Sequence, residues 1–380
     1  MHYCLVIRIA GLEQLRQVMG GPATAVALKA MAARLPDSLD PVLNHHSIEP
    51  VTSPAELEQG HWCYCFSYRQ AGEVLSDPGF MQQILLAAEA RMLAVAVEVF
   101  GYATARLADV QVALTRQQDV ANPQGVERAF EQRYQHLCQL DAQAEQALLA
   151  LLEGEGPRVF LQSIVDIRQP GYPVIGYEAL ARGPAGSVIE RADQLFETAR
   201  RCGLGSELEK ACLRAALPWQ ARLPDGQVLS VNASAALLLE EDVQQLLGRP
   251  RLWVELTEHL PMGEAAQLLP VLTQLAQKGA AIALDDTGCG YADMQAAQAL
   301  RPGVVKLCIT VIRALAQNDE VIRELKQTVQ QLHALGCKVL AEGVETADQL
   351  AQVSELGVDY VQGWYFGRPQ PAQEIIGTAS

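Results

Sequence analysis

The sequence predicts an α/β chain in two parts: a small α/β sandwich, then a TIM-like (β/α)8-type barrel with an antiparallel first strand. Three observations carry that expectation. The chain has 380 residues, more than one core ordinarily holds, so two domains are the default. Beyond Pro157 eight strand-like runs follow one another, and the last six are each reached through a helix-length segment. That alternation is the pattern of parallel strands joined by right-handed crossovers. The first two runs are separated only by Arg168-Gln169-Pro170-Gly171-Tyr172-Pro173, a turn, so they should pair as a hairpin.

Composition narrows the function classes. A hydrophobic content of 49% with 19% charged residues is that of a globular chain, not a disordered one. The formal net charge of −15 excludes a broad phosphate-backbone interface, so no DNA or RNA polymer is expected as partner. It leaves room for one small anion held through metals. Nine cysteines are scattered, odd in number and without a CxxC pair, which fits a reducing compartment. Cys63 and Cys65 alternate on an apolar run and are read as core. No basic-then-apolar leader and no stretch of about 20 apolar residues is present, so a cytoplasmic chain without a membrane span is expected.

The first part, residues 1–121, opens with a strand at 3–9. A helix over 11–35 is interrupted at Gly20-Gly21-Pro22. A weak strand is read at 42–51, an aromatic alternating strand at 61–68, a long apolar helix at 80–100 and a closing strand at 109–115. The order favours a mixed sheet with helices packed on it. No cluster of carboxylates or phosphate-cradling glycine loop occurs here, and His45-His46 reads as a solvated pair. Residues 122–156 form a linker. Within it Phe130, Tyr134, Leu137, Leu140, Ala144, Leu148 and Leu151 recur at three and four residues, a connector helix ended by Gly154-Glu155-Gly156-Pro157.

The barrel is assigned to 157–380, with strands at 159–167, 174–181, 228–234, 252–259, 281–287, 304–310, 338–344 and 360–366. In such a barrel chemistry sits at the C-terminal strand ends. Those ends carry Glu178, Asn232, Glu255, Asp285 with Asp286, Lys306, Glu342 and Gln362. Asp285-Asp286 alone would be a solvated strand tip. Its recurrence in the neighbouring strands argues for a shared site, because buried carboxylates need cations. The oxygen-rich set favours two Mg2+ or Mn2+ ions over zinc. Asp285 is placed to bridge them, with Glu178, Asn232 and Glu255 on one ion and Asp286 and Glu342 on the other. Such a pair can activate water and neutralise a phosphodiester. Lys306 would orient or help deprotonate that water, or stabilise charge on a phosphoryl oxygen.

Tyr177-Glu178-Ala179-Leu180-Ala181-Arg182 contains a Glu-Ala-Leu signature. It is followed in order by Ser230-Val231-Asn232-Ala233-Ser234, Glu255-Leu256-Thr257-Glu258, Asp285-Asp286-Thr287-Gly288, Val305-Lys306-Leu307, Ala341-Glu342-Gly343-Val344-Glu345 and Gln362-Gly363-Trp364-Tyr365-Phe366. Over about residues 157–372 this series resembles the EAL family of cyclic-di-GMP phosphodiesterases. The resemblance implies the EAL fold and metal-dependent hydrolysis of cyclic-di-GMP to linear pGpG. It implies the same six metal ligands, Lys306 acting on the water, and Gln362 and Glu345 supporting the site. It further implies Arg182 and Gln162 at the substrate, Glu258 bracing the loop after the fifth strand, and a homodimer formed through the barrel. Thr287, Ala292-Asp293 and Cys308 depart from the family pattern. The N-terminal part stands where many members carry a GGDEF domain, but its signature residues are missing; it would be a degenerate, regulatory domain open to a protein partner. A non-catalytic cyclic-di-GMP receptor and a barrel hydrolase acting on another phosphodiester are the competing expectations.

Overall fold

The computed structural model describes residues 2–45, 48–50, 55–67, 78–256, 262–287, 291–308 and 319–377. The chain divides into two compact units, Met1–Leu140 and Asp141–Ser380. No helix among the described residues is long and apolar enough to cross a membrane.

The first unit runs β1 (His2–Ile9), α1 (Leu12–Met19), α2 (Gly21–His45), β2 (Glu49–Pro50), β3 (Ala55–Glu58), β4 (His61–Ser67), α3 (Pro78–Phe100), α4 (Tyr102–Ala108), β5 (Val110–Arg116) and α5 (Gln117–Val120). Its sheet has the order β2-β4-β1-β5, with β3 also on β4. The expected mixed sheet is corrected: every described pairing is antiparallel. β4 and β5 are parallel to one another, as their helical connection requires, but β1 lies between them and pairs antiparallel with both. Alternation along β1 buries both faces. Tyr3, Leu5, Ile7 and Ile9 join the larger core, and Cys4 and Val6 join a smaller one on the other face.

Two further readings change. The helix break falls at Gly20, whose φ is 83°, as expected. Yet α2 then continues through Pro36 and Pro41 to His45, so of the weak strand read at 42–51 the described residues keep Glu49–Pro50, and Val51 lies outside them. Leu28, Met31, Leu35, Leu39 and Leu43 are all buried along one stripe, and that burial outweighs two missing backbone donors. Cys65 is buried as expected but is not a free thiol: it is disulfide-bonded to Cys4, 61 residues away in sequence. Strand register, which spacing does not reveal, places the two opposite each other.

The connector is the helix α6 (Pro123–Glu153). Val126, Ala129 and Phe130 are buried within the first unit, and Ala144, Leu148 and Leu151 within the second. Tyr134, expected on the apolar stripe, is 69% exposed; the stripe passes through Arg133 instead, which is buried against Glu89 at 3.3 Å.

The second unit is a closed barrel of β6 (Arg158–Asp166), β7 (Val174–Arg182), β8 (Val228–Ala233), β9 (Leu252–Leu256), β10 (Ala281–Thr287), β11 (Val304–Leu307), β12 (Lys338–Ala341) and β13 (Tyr360–Val361). Neighbours from β7 to β13 are parallel. β6 is antiparallel to both β7 and β13 and closes the ring, as the short turn required. Its upper part also pairs with β14 (Gln370–Pro371). Helices α7 (Ala192–Arg201), α8 (Gly205–Gln220), α9 (Ala235–Leu238), α10 (Glu241–Leu247), α11 (Met262–Gln277), α12 (Tyr291–Leu300), α13 (Asp319–Ala334) and α14 (Ala347–Leu356) fill the crossovers. The seventh and eighth strands are shorter than expected, so Glu342 and Gln362 stand one residue past their strand ends.

At the N-terminal strand ends, where β12 begins, the barrel is pinned by Asp359. Its carboxylate accepts from Lys338 Nζ at 2.8 Å and the Val339 amide at 3.0 Å, and pairs with His333 Nε2 at 2.8 Å. Burial disfavours its charge, but these partners outweigh that and hold the carboxyl below the usual carboxylate range. A depressed folded-state pKa stabilises above the unfolded value, about 3.9, and that contribution is lost as pH falls through the folded value. Asp359→Asn is therefore expected to cost about 2–4 kcal/mol near neutrality and to unfold with a flatter dependence on pH below about 4. Thermal unfolding across pH checks both parts.

Candidate active site

The barrel strands bring most of the expected residues to one centre. Lys306 projects from β11 and is 1% exposed. Around its Nζ stand Glu255 of β9 at 2.6 Å, Glu342 after β12 at 2.6 Å, Asp285 of β10 at 3.0 Å and Glu178 of β7 at 3.8 Å. Inward side chains come from alternate strand positions, so separate strands deliver carboxylates to the same level.

The surrounding hydrogen bonds orient this set. Glu178 Oε1 accepts from Asn232 Nδ2 at 3.2 Å, and its Oε2 accepts from Gln362 Nε2 at 2.5 Å. Gln362 also donates to Gln162 Oε1 at 3.0 Å, and Gln162 donates to the Gly367 carbonyl at 3.1 Å. Glu255, fully buried, accepts from Ser230 Oγ at 2.5 Å. Ser230 had no assigned role in the sequence. Its signal was its position two residues before Asn232, on the same face of β8.

The electrostatics are those of carboxylates in excess. Burial and the nearby Glu178 push Glu255 well above the usual range. Glu342 is pushed up to about 7 by burial first; Asp285 and Glu178 add to the rise and Lys306 opposes it. Burial works against the Lys306 charge, yet Glu178, Glu255, Glu342 and Asp285 together hold its proton well above the usual lysine range.

Arg182, at the end of β7, donates Nη1 to the Ala181 carbonyl at 2.7 Å and lies 5.5 Å from the Phe160 ring centre. Burial lowers its pKa, opposed by Glu178. Beside it opens a cavity of about 400 Å³, lined by Leu180, Arg182, Phe196, Glu209, Asn232 and Ser234 among others. Glu209 accepts from the Ser234 amide at 3.0 Å. Glu345 is half-buried, three residues beyond Glu342, with its backbone N–H donating to Gln349 Oε1 at 2.7 Å. Asp286 follows Asp285 on β10, but its side chain, Glu258 and the segment 288–290 lie outside the described residues.

Among the described residues no three His, Cys, Asp or Glu side chains form a ligating group of their own; the carboxylates converge on the ammonium instead. The donor set nonetheless fits a hard divalent ion. It is all oxygen, four carboxylates share the Lys306 ammonium, and that Nζ already stands in as a cation. Gln362 Oε1 is buried with no hydrogen-bond partner among the described residues, an acceptor left over at the same centre.

Gly363 shows how tightly the centre is held. A Cβ there would lie 2.1 Å from the Val344 carbonyl oxygen. Gly363→Ala is expected to destabilise by about 2–3 kcal/mol and, by moving Gln362, to lower turnover more than tenfold. Unfolding curves and initial rates on the same preparation check it.

Comparison with known proteins agrees with this architecture. The EAL domain family profile matches residues 145–369. The bifunctional diguanylate cyclase/cyclic di-GMP phosphodiesterase MucR of Pseudomonas aeruginosa is 30% identical over 227 residues, 56% of this chain and 33% of that protein. The probable cyclic di-GMP phosphodiesterase PdeB of Escherichia coli is 28% identical over 218 residues, 53% of this chain and 41% of that protein. The chain thus spans well under half the length of these two relatives. The solved structure described as "PaMucR Phosphodiesterase, c-di-GMP complex" matches with a TM-score of 0.55 and 28% identity, covering 61% of this chain and 99% of that one. The FimX EAL domain of Xanthomonas citri, solved with c-di-GMP, matches with a TM-score of 0.55 at 19% identity, covering 64% and 97%, and shares the fold. On the match over residues 145–369, the chain belongs to the EAL domain family.

Proposed function

We propose that the barrel hydrolyses cyclic-di-GMP to linear pGpG with two divalent ions, Mg2+ or Mn2+. The observation that carries this reading is the convergence of Glu178, Glu255, Asp285 and Glu342 on the Lys306 ammonium. The names of the relatives, cyclic di-GMP phosphodiesterases, supply the substrate class. Glu178, Asn232, Glu255, Asp285, Asp286 and Glu342 would hold the ions. When bound, such ions supply Lewis acidity and neutralise phosphate charge.

The chain's own residues divide the remaining work. Gln362 and Gln162, hydrogen-bonded in series, lock the Glu178 rotamer. Ser230 does the same for Glu255. Lys306, at the centre of the same carboxylates, is placed to orient the water, to help deprotonate it or to stabilise charge on a phosphoryl oxygen. Arg182 presents a guanidinium to a ligand phosphate, and the adjoining cavity has room for a purine base. Glu345 and Glu258 are assigned supporting roles on the strength of the motif series alone. The reaction belongs to a cytoplasmic, homodimeric protein in this reading, with the first unit, in the division 1–121, 122–156 and 157–380, as its regulatory part and a surface for a protein partner.

The test is to incubate the purified chain with cyclic-di-GMP and Mg2+ or Mn2+, in parallel with a chelator, and to follow nucleotides by chromatography. Linear pGpG formed with metal and absent with chelator is the expected result. Tight binding without product would make the barrel a receptor. Product from other phosphodiesters but not this one would overturn the substrate.

A further inference from the structure

The first unit carries chemistry that the barrel's reaction does not use. Cys4 and Cys65 face each other across β1 and β4 and are covalently joined. Their bond lies on the sheet face covered by the first turns of α6, where Cys4, Val6, Cys63, Cys65 and Ala113 pack against Val126, Ala129 and Phe130. That cover is pinned from the strand side. Arg8 of β1 lays its guanidinium 4.1 Å from the Phe130 ring centre and pairs with Glu127 at 3.0 Å. Cys4 is 0% and Cys65 6% exposed, so a thiol reagent reaches the bond only when the cover lifts.

The rest of the cysteine set argues against a stapled scaffold. Among the described residues, Cys63, Cys138, Cys202, Cys212 and Cys337 carry free thiols. One bond amid these unpaired thiols is the pattern of a redox-responsive pair, not of a disulfide framework. Cys63 is the nearest competitor, on the same strand and face. Burial pushes its thiol up, which leaves it a poor attacking group.

We propose that Cys4 and Cys65 form a reversible redox pair whose state sets how firmly the first turns of α6 seat on the sheet. In the oxidising direction each thiol gives up one proton and one electron and the S–S bond forms. The two electrons and two protons pass to a small-molecule disulfide, which leaves as two thiols; a dithiol reverses the exchange. Oxidised, the sulfurs are one compact group beneath Phe130. Reduced, they are two thiols that can no longer share bonding distance, and a close-packed layer must give way to hold them. The side of that layer free to move is the helix, since β1 and β4 are held by their ladder.

The experiment treats the full chain with oxidised glutathione or with dithiothreitol. It locates the bond by alkylation and peptide mass, and follows backbone hydrogen exchange across residues 124–133. The Cys4–Cys65 linkage is expected with oxidised glutathione, and two alkylated cysteines with about tenfold faster exchange in dithiothreitol, reversing on reoxidation. Cys63→Ser keeps this response, and Cys65→Ser exchanges at the fast rate in both reagents. If Cys65→Ser does not fold, the comparison of the two reagents on the unmodified chain decides alone. Equal exchange in the two reagents, a linkage through Cys63, or a pair that stays reduced in oxidised glutathione overturns the proposal.

Discussion

Lys306→Met is expected to destabilise the metal-free chain by about 3–5 kcal/mol, because it removes the cation on which four carboxylates converge. For a unit of this size the melting temperature should fall by on the order of 10 °C. The argument rests on the geometry around Nζ: three carboxylates within 3.0 Å and a fourth at 3.8 Å, all drawn to a side chain that is almost wholly buried. Methionine fills much of the same volume, so the loss reports charge more than packing. The deficit should shrink when millimolar Mn2+ is added, since a cation bound only by the folded state stabilises it by mass action. Calorimetry in chelator and in Mn2+ separates the two parts. An unchanged melting temperature in chelator would show that the carboxylates need no countercharge, and the metal reading would lose its main support. Turnover of cyclic-di-GMP should be lost under either condition.

Glu178→Ala is expected to lower kcat/KM by on the order of 10³-fold. Glu178 is the meeting point of two supports, Asn232 on one oxygen and Gln362 on the other. Alanine removes the charge and also takes the acceptor from the half-buried Asn232 amide and from one N–H of the buried Gln362, which adds a stability cost of about 1–3 kcal/mol. Glu178→Gln separates these effects. It keeps the volume and one acceptor but not the charge, so stability should largely return while turnover does not. Steady-state rates and unfolding midpoints on both variants provide the comparison. Near-normal turnover in Glu178→Gln would mean that the carboxylate serves only to position its neighbours.

Much of this centre was visible along the chain. Strand alternation and strand ends are local properties, and a polar residue interrupting an apolar run marks itself. That is why Glu178, Asn232, Glu255, Asp285, Lys306, Glu342 and Gln362 could be picked out and assigned to one rim. The short turn after β6 likewise predicted its antiparallel pairing. What could not be read were relations between distant residues. Nothing in the spacing says that Lys306 rather than solvent would neutralise the carboxylates, or that Ser230 would donate to Glu255. The first unit was harder because its order of pairing was not local: β1 inserts between β4 and β5, which turned an expected mixed sheet antiparallel. The helix expected to end at residue 35 runs on through Pro36 and Pro41 to His45, because a stripe of buried leucines outweighs two missing donors.

The sequence by itself determined the alternation of strands and helices, the identity of the family and the residues offered at the strand ends, because each is written in local periodicity and in the order of short motifs along the chain. Tertiary structure alone decided which of those residues meet, that Glu255 and Lys306 lie with almost no exposure, and that Cys4 is joined to Cys65. The reason is physical. Burial and pairing depend on what the rest of the chain packs against a side chain, and a carboxylate or thiol acquires its altered chemistry only there.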